Sequence, residues 1–246
     1  MTIHLIEESI ELQKIQKEKL SGFRAQWHTS IHTIPNKAPY FIANEFFDAL
    51  PIRQFKRAAK CWEEILIGEK NGKLVFYLGN KIPLYSIPHH IENTKIGDVV
   101  ETCIAAKPII AVLSDRIKNY GGCAIIVDYG DDDLVGNTFQ AVKNHKKINT
   151  LKLPGDSDLT AHVDFKELTR DISEILVTKT TPQGILLDRL GINDRTKKLT
   201  SHIPDYQKTI HDAALRRLTH PSEMGSLFKA IALYPSASFA PAGFDL

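Results

Sequence analysis

The chain has 246 residues, 43% of them hydrophobic, which is enough to bury a sizeable core in one large domain or two small ones. Its 31 basic and 29 acidic residues leave a formal net charge of +2, so there is no bulk electrostatic case for a nucleic-acid or membrane-surface partner. The three cysteines, Cys61, Cys103 and Cys123, lie far apart without Cys-x-x-Cys spacing, which argues against a disulfide framework or a zinc site and fits a reducing compartment, and no apolar run is long enough for membrane insertion.

Residues 3–6 form a short apolar run, and Leu12, Ile15, Lys19 and Phe23 then recur at helical spacing. With Ser9 as N-cap and Gly22 as stop, this predicts a strand followed by a helix. Residues 40–43 predict a buried strand ending in Asn44, Glu45 and Asp48, where an open α/β sheet presents its ligand crevice. Residues 52–86 change character, with β-rich runs on both sides of Asn71-Gly72. Both turn residues tolerate the positive φ of a type I′ turn, so an antiparallel hairpin insertion is expected.

Ile109, Val112, Leu113 and Ile117 share one face of a helix over 107–120, which Gly121-Gly122 ends before a buried strand over 123–130. Asp128 and Tyr129 fall at the end of that strand, on the same sheet edge as Glu45 if the two strands are parallel. Asp164-x-x-Glu167 reads as a capping box for a helix over 164–174, and Thr181-Pro182 as cap and first position of a helix over 181–191. A helix near 204–219 and a strand over 227–233 complete the pattern.

Several polar groups have ordinary readings beside the functional ones. Asp48 could simply cap a following helix, and Phe46, Phe47, Trp27 and Trp62 read as packing residues. His89-His90 reads as a solvated loop. Asp158, Thr160, His162 and Asp164, with His145, invite a metal reading, but their spacing fits no established ligand motif and a polar loop is expected instead. No Gly-x-Ser-x-Gly elbow supports a serine hydrolase.

Block 44–51 (Asn-Glu-Phe-Phe-Asp-Ala-Leu-Pro), residues 4–9 with Gln16, Asp128-Tyr129-Gly130, His145, stretch 154–165, Gln183, Leu187, Gly191-Ile192 and Gly243-Phe244 together resemble the MidA-like class I methyltransferases. These use S-adenosylmethionine and include the mitochondrial assembly factor for respiratory complex I. The likeness covers nearly the whole chain; Leu186 stands where the family usually has Phe. It implies a Rossmann-like α/β sheet and methylation of a protein arginine, with a complex I subunit as the type of acceptor. Residues 1–51 would be a partial core, 52–100 the hairpin insertion and 101–246 the remainder of the core.

The resemblance also implies a gap. Family members begin with a strand and a glycine-rich turn that hold the cofactor's methionine portion, and neither is found here, so residues 3–6 correspond to the second strand. Only part of the S-adenosylmethionine pocket is then expected, with Glu7 on the ribose hydroxyls and Asn44 near the cofactor's amino-acid portion. The first strand lies between the second and the fourth in that fold, so the sheet should be cut between residues 3–6 and 40–44. The expectation is therefore a truncated or split copy, inactive alone, that docks onto a separate N-terminal fragment. Glu45 and Asp48 are the candidates to orient the acceptor guanidinium, with Asn44 and Asp128 beside them. The alternative is a non-catalytic assembly module that keeps the family's partner-recognition surface. The compartment would be a bacterial cytoplasm or, alternatively, the mitochondrial matrix.

Overall fold

The computed structural model describes residues 2–37, 40–144 and 146–244. The chain opens with strand β1 (Ile3–Ile6) and helix α1 (Ile10–Lys19). Ser9 caps the helix by accepting from the Leu12 amide at 3.3 Å, which satisfies one of the N–H groups a helix start leaves without a partner. The helix stops at Leu20 rather than at Gly22, because the Leu20 amide closes onto the Gln16 carbonyl and no left-handed residue is needed. Strand β2 (Ala25–His28) pairs in parallel with β1.

Strand β3 (Tyr40–Asn44) follows, and β4 (Arg53–Arg57), β5 (Cys61–Lys70), β6 (Lys73–Pro83) and β7 (Val99–Thr102) build a four-stranded antiparallel sheet in the order β6-β5-β4-β7. Asn71 and Gly72 take φ of 54° and 73° at the β5–β6 turn, as the hairpin requires. The insertion is more than a hairpin: β4 and β7 widen it into a sheet with its own small core of Phe55, Trp62, Ile87 and Val100. His90 is not in a solvated loop. It is 3% exposed, buried within reach of the charges of Asp133, Asp164, Glu167 and Arg170.

Helix α2 (Ala106–Tyr120) ends at Gly121, whose φ of 75° favours glycine, and leads into strand β8 (Cys123–Asp131). Strands β9 (Gln140–Lys143), β10 (Lys146–Ile148) and β11 (Asp158–Thr160) form a small antiparallel sheet. Strand β12 (Val163–Asp164) runs into helix α3 (Phe165–Thr169). Asp164 accepts from the Glu167 amide at 2.9 Å, but the Glu167 side chain turns to Arg170 instead of reaching back. Only half the capping box forms, and the helix is five residues long.

Strands β13 (Leu176–Val177) and β14 (Thr181–Pro182) precede helices α4 (Gln183–Arg189), α5 (Ile192–Thr200), α6 (Asp205–Thr219) and α7 (Met224–Leu227) and strand β15 (Phe228–Tyr234). Thr181 and Pro182 therefore do not open a helix; they pair with Ala230 and Lys229 of β15, and helix begins only at Gln183. Helix α5 has no counterpart among the elements expected from the sequence pattern.

The central sheet runs β12-β8-β15-β13, with β3 parallel to β8 and β15 antiparallel to it. Ile110, Leu113 and Ile117 of α2 pack in one core with Ala124 and Ile126 of β8 and Ile231 and Leu233 of β15. Among the described residues, β1 is laddered only to β2 and β3 only to β8, so the two parallel pieces are not joined. Tyr40 and Ile42 on β3 are 75% and 81% exposed. That strand faces water, so the desolvation cost of burying its unpaired backbone groups does not arise.

Arg116 ties the stretch after β2 to α2. It is 6% exposed and donates to the carbonyls of Ile31, Ile34 and Pro35 at 3.0, 2.8 and 3.0 Å. Arg116→Met keeps the apolar stem but leaves these acceptors unsatisfied. The expected loss is about 3 kcal/mol, read as a lower urea midpoint with unchanged slope.

Candidate functional site

The site grows from the junction of β3 and β8. Asn44 ends the β3 ladder, and the Glu45 amide adds one more bond, to the Val127 carbonyl at 3.0 Å. Glu45 then takes φ of 48°, a left-handed conformation uncommon for a residue with a side chain and enriched where structure is tuned to function. The chain turns there instead of continuing as strand, and no helix follows for Asp48 to cap.

Asp128 holds this turn. It is 0% exposed, and its Oδ2 accepts from the amides of Phe46, Phe47 and Asp48 at 3.2, 3.0 and 3.3 Å. Its Oδ1 accepts from the Tyr129 amide at 3.1 Å. The expectation that Asp128 would meet a ligand beside Glu45 is therefore corrected, because its oxygens are buried and committed to backbone donors. The strand also runs on to Asp131, which places Asp128 within the ladder rather than at its end.

Asp48 is 4% exposed, faces the Tyr129 side chain, and has an Oδ1 atom that is buried without a hydrogen-bond partner. Buried acceptors are nearly always satisfied, so this atom calls for an explanation. Asp48 lines a cavity of about 360 Å³ whose other walls include Gln54, Ile65, Phe76, Phe139 and Leu159. The lining combines one carboxylate with mostly apolar side chains. Glu45 and Asn44 are exposed at the strand end, with the Asn44 amide 3.4 Å from Glu45 Oε1.

Burial pushes the Asp48 carboxyl above the usual carboxylate range, against hydrogen bonds from Tyr129 and the Ala49 amide that pull it down. Burial and then the neighbouring Asp48 charge push Asp128 up to about 7, against its backbone donors. The same burial, with Asp48 next to it, raises the Tyr129 hydroxyl, which therefore stays a proton donor to Asp48 at neutral pH.

A carboxyl with a raised folded-state pKa contributes fully below its unfolded value of 3.8, and that contribution is lost as pH rises through about 7. Urea midpoints should therefore fall between pH 5 and pH 8, by a few kcal/mol in extrapolated stability. Asp48→Asn removes the like charge and should flatten that slope.

Glu7, at the end of β1, is half-buried and held in place: Oε1 accepts from the Ser9 amide at 2.9 Å and Oε2 from Gln16 Nε2 at 3.3 Å. Gln16 in turn accepts from the Trp27 indole at 2.8 Å. A carboxylate has further lone pairs, so Glu7 is oriented without being used up, which suits it to a pair of ribose hydroxyls. Among the described residues, no ladder joins the β1 end that carries Glu7 to the β3 end that carries Asn44. His145 lies outside the described residues, and His162 is half-buried with its ring edge-on to Tyr129 at 5.4 Å. Sequence reasoning missed the walls Phe139 and Leu159 and the role of Gln140, which joins Thr160 and Tyr129 behind Asp48. Their short strands carry no strong period from which to read them.

Residues 1–182 match the family described as "Putative S-adenosyl-L-methionine-dependent methyltransferase". The chain is 32% identical over 267 residues to the mitochondrial protein arginine methyltransferase NDUFAF7 of Danio rerio, covering 98% of this chain and 63% of that protein. It is 32% identical over 265 residues to the human protein of the same name, covering 96% of this chain and 59% of that protein. The chain thus spans only part of the curated relatives it matches. A Burkholderia thailandensis protein solved with S-adenosyl-homocysteine bound shares the fold, with a TM-score of 0.83 at 23% identity over 98% of this chain and 66% of that one.

Proposed function

The chain belongs to this family of S-adenosyl-L-methionine-dependent methyltransferases, and from that premise we propose that its β3–β8 junction is the acceptor side of a protein-arginine methyl transfer. The observation that carries the reading is a buried carboxylate, Asp48, that lines a largely apolar cavity and has one oxygen without a hydrogen-bond partner. An arginine side chain is an apolar stem ending in a planar fork of N–H donors, and it complements both features.

S-adenosylmethionine, when bound, supplies an electrophilic methyl group. Glu7 is the residue that would hold its ribose, and Asn44 would lie near its amino-acid portion. This chain's own residues do the rest. Asp48 receives the guanidinium as a carboxylate and can take the proton that leaves the methylated nitrogen. Tyr129 steadies Asp48, Glu45 offers a second, exposed carboxylate at the strand end, and Asp128 acts as a positioning residue by fixing the turn that follows Glu45 and carries Asp48. Positioning is the main contribution here, since the displacement needs alignment more than acid strength.

The proposal includes a glycine-rich strand and helix that fits between β1 and β3 and completes the cofactor pocket. Two features support it: among the described residues each of these strands is laddered on one side only, and Tyr40 and Ile42 of β3 are exposed apolar side chains. Calorimetry with S-adenosyl-homocysteine tests this part, and one-to-one micromolar binding by the chain alone would refute it. Transfer of labelled methyl to a protein arginine after adding such a segment tests the activity, with a complex I subunit as the first acceptor to assay. A stable complex without transfer would favour the non-catalytic assembly module instead.

A further inference from the structure

We infer that the insertion sheet is the acceptor-docking element, and that one face of the β5–β6 hairpin binds apolar residues flanking the target arginine. This rests on the reading of the Asp48 cavity as an arginine seat. The register pairs Gln54 with Ile65, Ile65 with Leu78, Ile67 with Phe76 and Glu69 with Leu74, and paired residues project from the same side of a sheet.

One face therefore begins at Gln54, Ile65, Ile67 and Phe76, which line the cavity, and continues outward over Leu78 and Leu74. Ile67, Leu74, Phe76 and Leu78 are 48%, 38%, 44% and 49% exposed. A contiguous apolar row on an edge hairpin is a liability for a chain that keeps it uncovered. Here the row runs into the cavity that the buried Asp48 carboxylate lines. That continuity identifies the occupant: a protein segment whose arginine enters the cavity while its apolar neighbours lie along the hairpin.

The test measures fluorescence anisotropy of labelled pentapeptides on the full chain. One has a central arginine between valine and leucine residues, a second has the same arginine between glycines, and a third replaces the arginine of the first with citrulline. The apolar-flanked arginine peptide should bind at least about tenfold tighter than the glycine-flanked one, about 1.4 kcal/mol. The double substitution Leu74→Glu and Leu78→Glu, neither in the cavity wall, should erase that ratio and leave the glycine-flanked peptide unchanged. Leu74→Ser with Leu78→Ser serves if the charged variant fails to fold. A ratio near one, a ratio unmoved by the substitutions, or no binding by any peptide would overturn the docking face. A citrulline peptide that binds as well as its arginine parent while keeping the flank preference would uphold the docking face and refute the arginine seat.

Discussion

Asp48→Asn is expected to weaken binding of an arginine peptide about a hundredfold and to remove methyl transfer from the completed enzyme to a similar or greater degree. The substitution keeps the shape and the contact with Tyr129 but replaces a charge in the cavity lining with a neutral amide. Isothermal titration against a short arginine peptide reads the first effect, and labelled-methyl incorporation reads the second. The native affinity should itself rise with pH. Burial raises the Asp48 pKa in the free protein and a bound guanidinium lowers it, so binding releases a proton and is favoured as protons become scarcer. The Asp48→Asn variant should lose this pH dependence as well as the affinity. Equal affinity in the two proteins would remove Asp48 from the site.

Asp128→Ala should cost about 3–5 kcal/mol and lower the melting temperature by about 10 °C. The alanine leaves the amides of Phe46, Phe47, Asp48 and Tyr129 without the acceptor that now satisfies them, in a place where Asp128 is 0% exposed. Asp128→Asn should cost less, about 1–2 kcal/mol, because its one oxygen can still serve the three turn amides while its NH₂ group faces the Tyr129 donor. Scanning calorimetry ranks the two. Both should also weaken arginine-peptide binding, since the turn they loosen carries Asp48. A melting temperature within about a degree of the parent for the alanine variant would show that the turn does not depend on Asp128.

Local chemistry explains what could be read early. Ser9 before α1, the Asn71-Gly72 turn, the glycine after α2 and the Asp164 cap each act through residues a few positions away, and each appears where expected. The same locality explains the errors. Asp164-x-x-Glu167 promised a longer helix, but Glu167 found Arg170, and Thr181-Pro182 found β15 before it could open a helix. His90 was buried by packing of segments distant in sequence, which neither its own proline-bounded stretch nor its charge could foretell.

The sequence by itself determined the first strand and helix, the hairpin, helix α2 with strand β8, the likeness to a methyltransferase family and the placing of Asn44, Glu45 and Asp48 at a strand end. Tertiary structure alone decided which of the nearby polar atoms are committed and which are left over. Asp128 became a buried anchor because parallel pairing of β3 and β8 brings it to amides 80 to 82 positions away, and Asp48 was buried beside Tyr129 of β8 with its Oδ1 left without a partner. Which polar atom remains free depends on the sum of long-range contacts around it, and no pattern within a few residues encodes that sum.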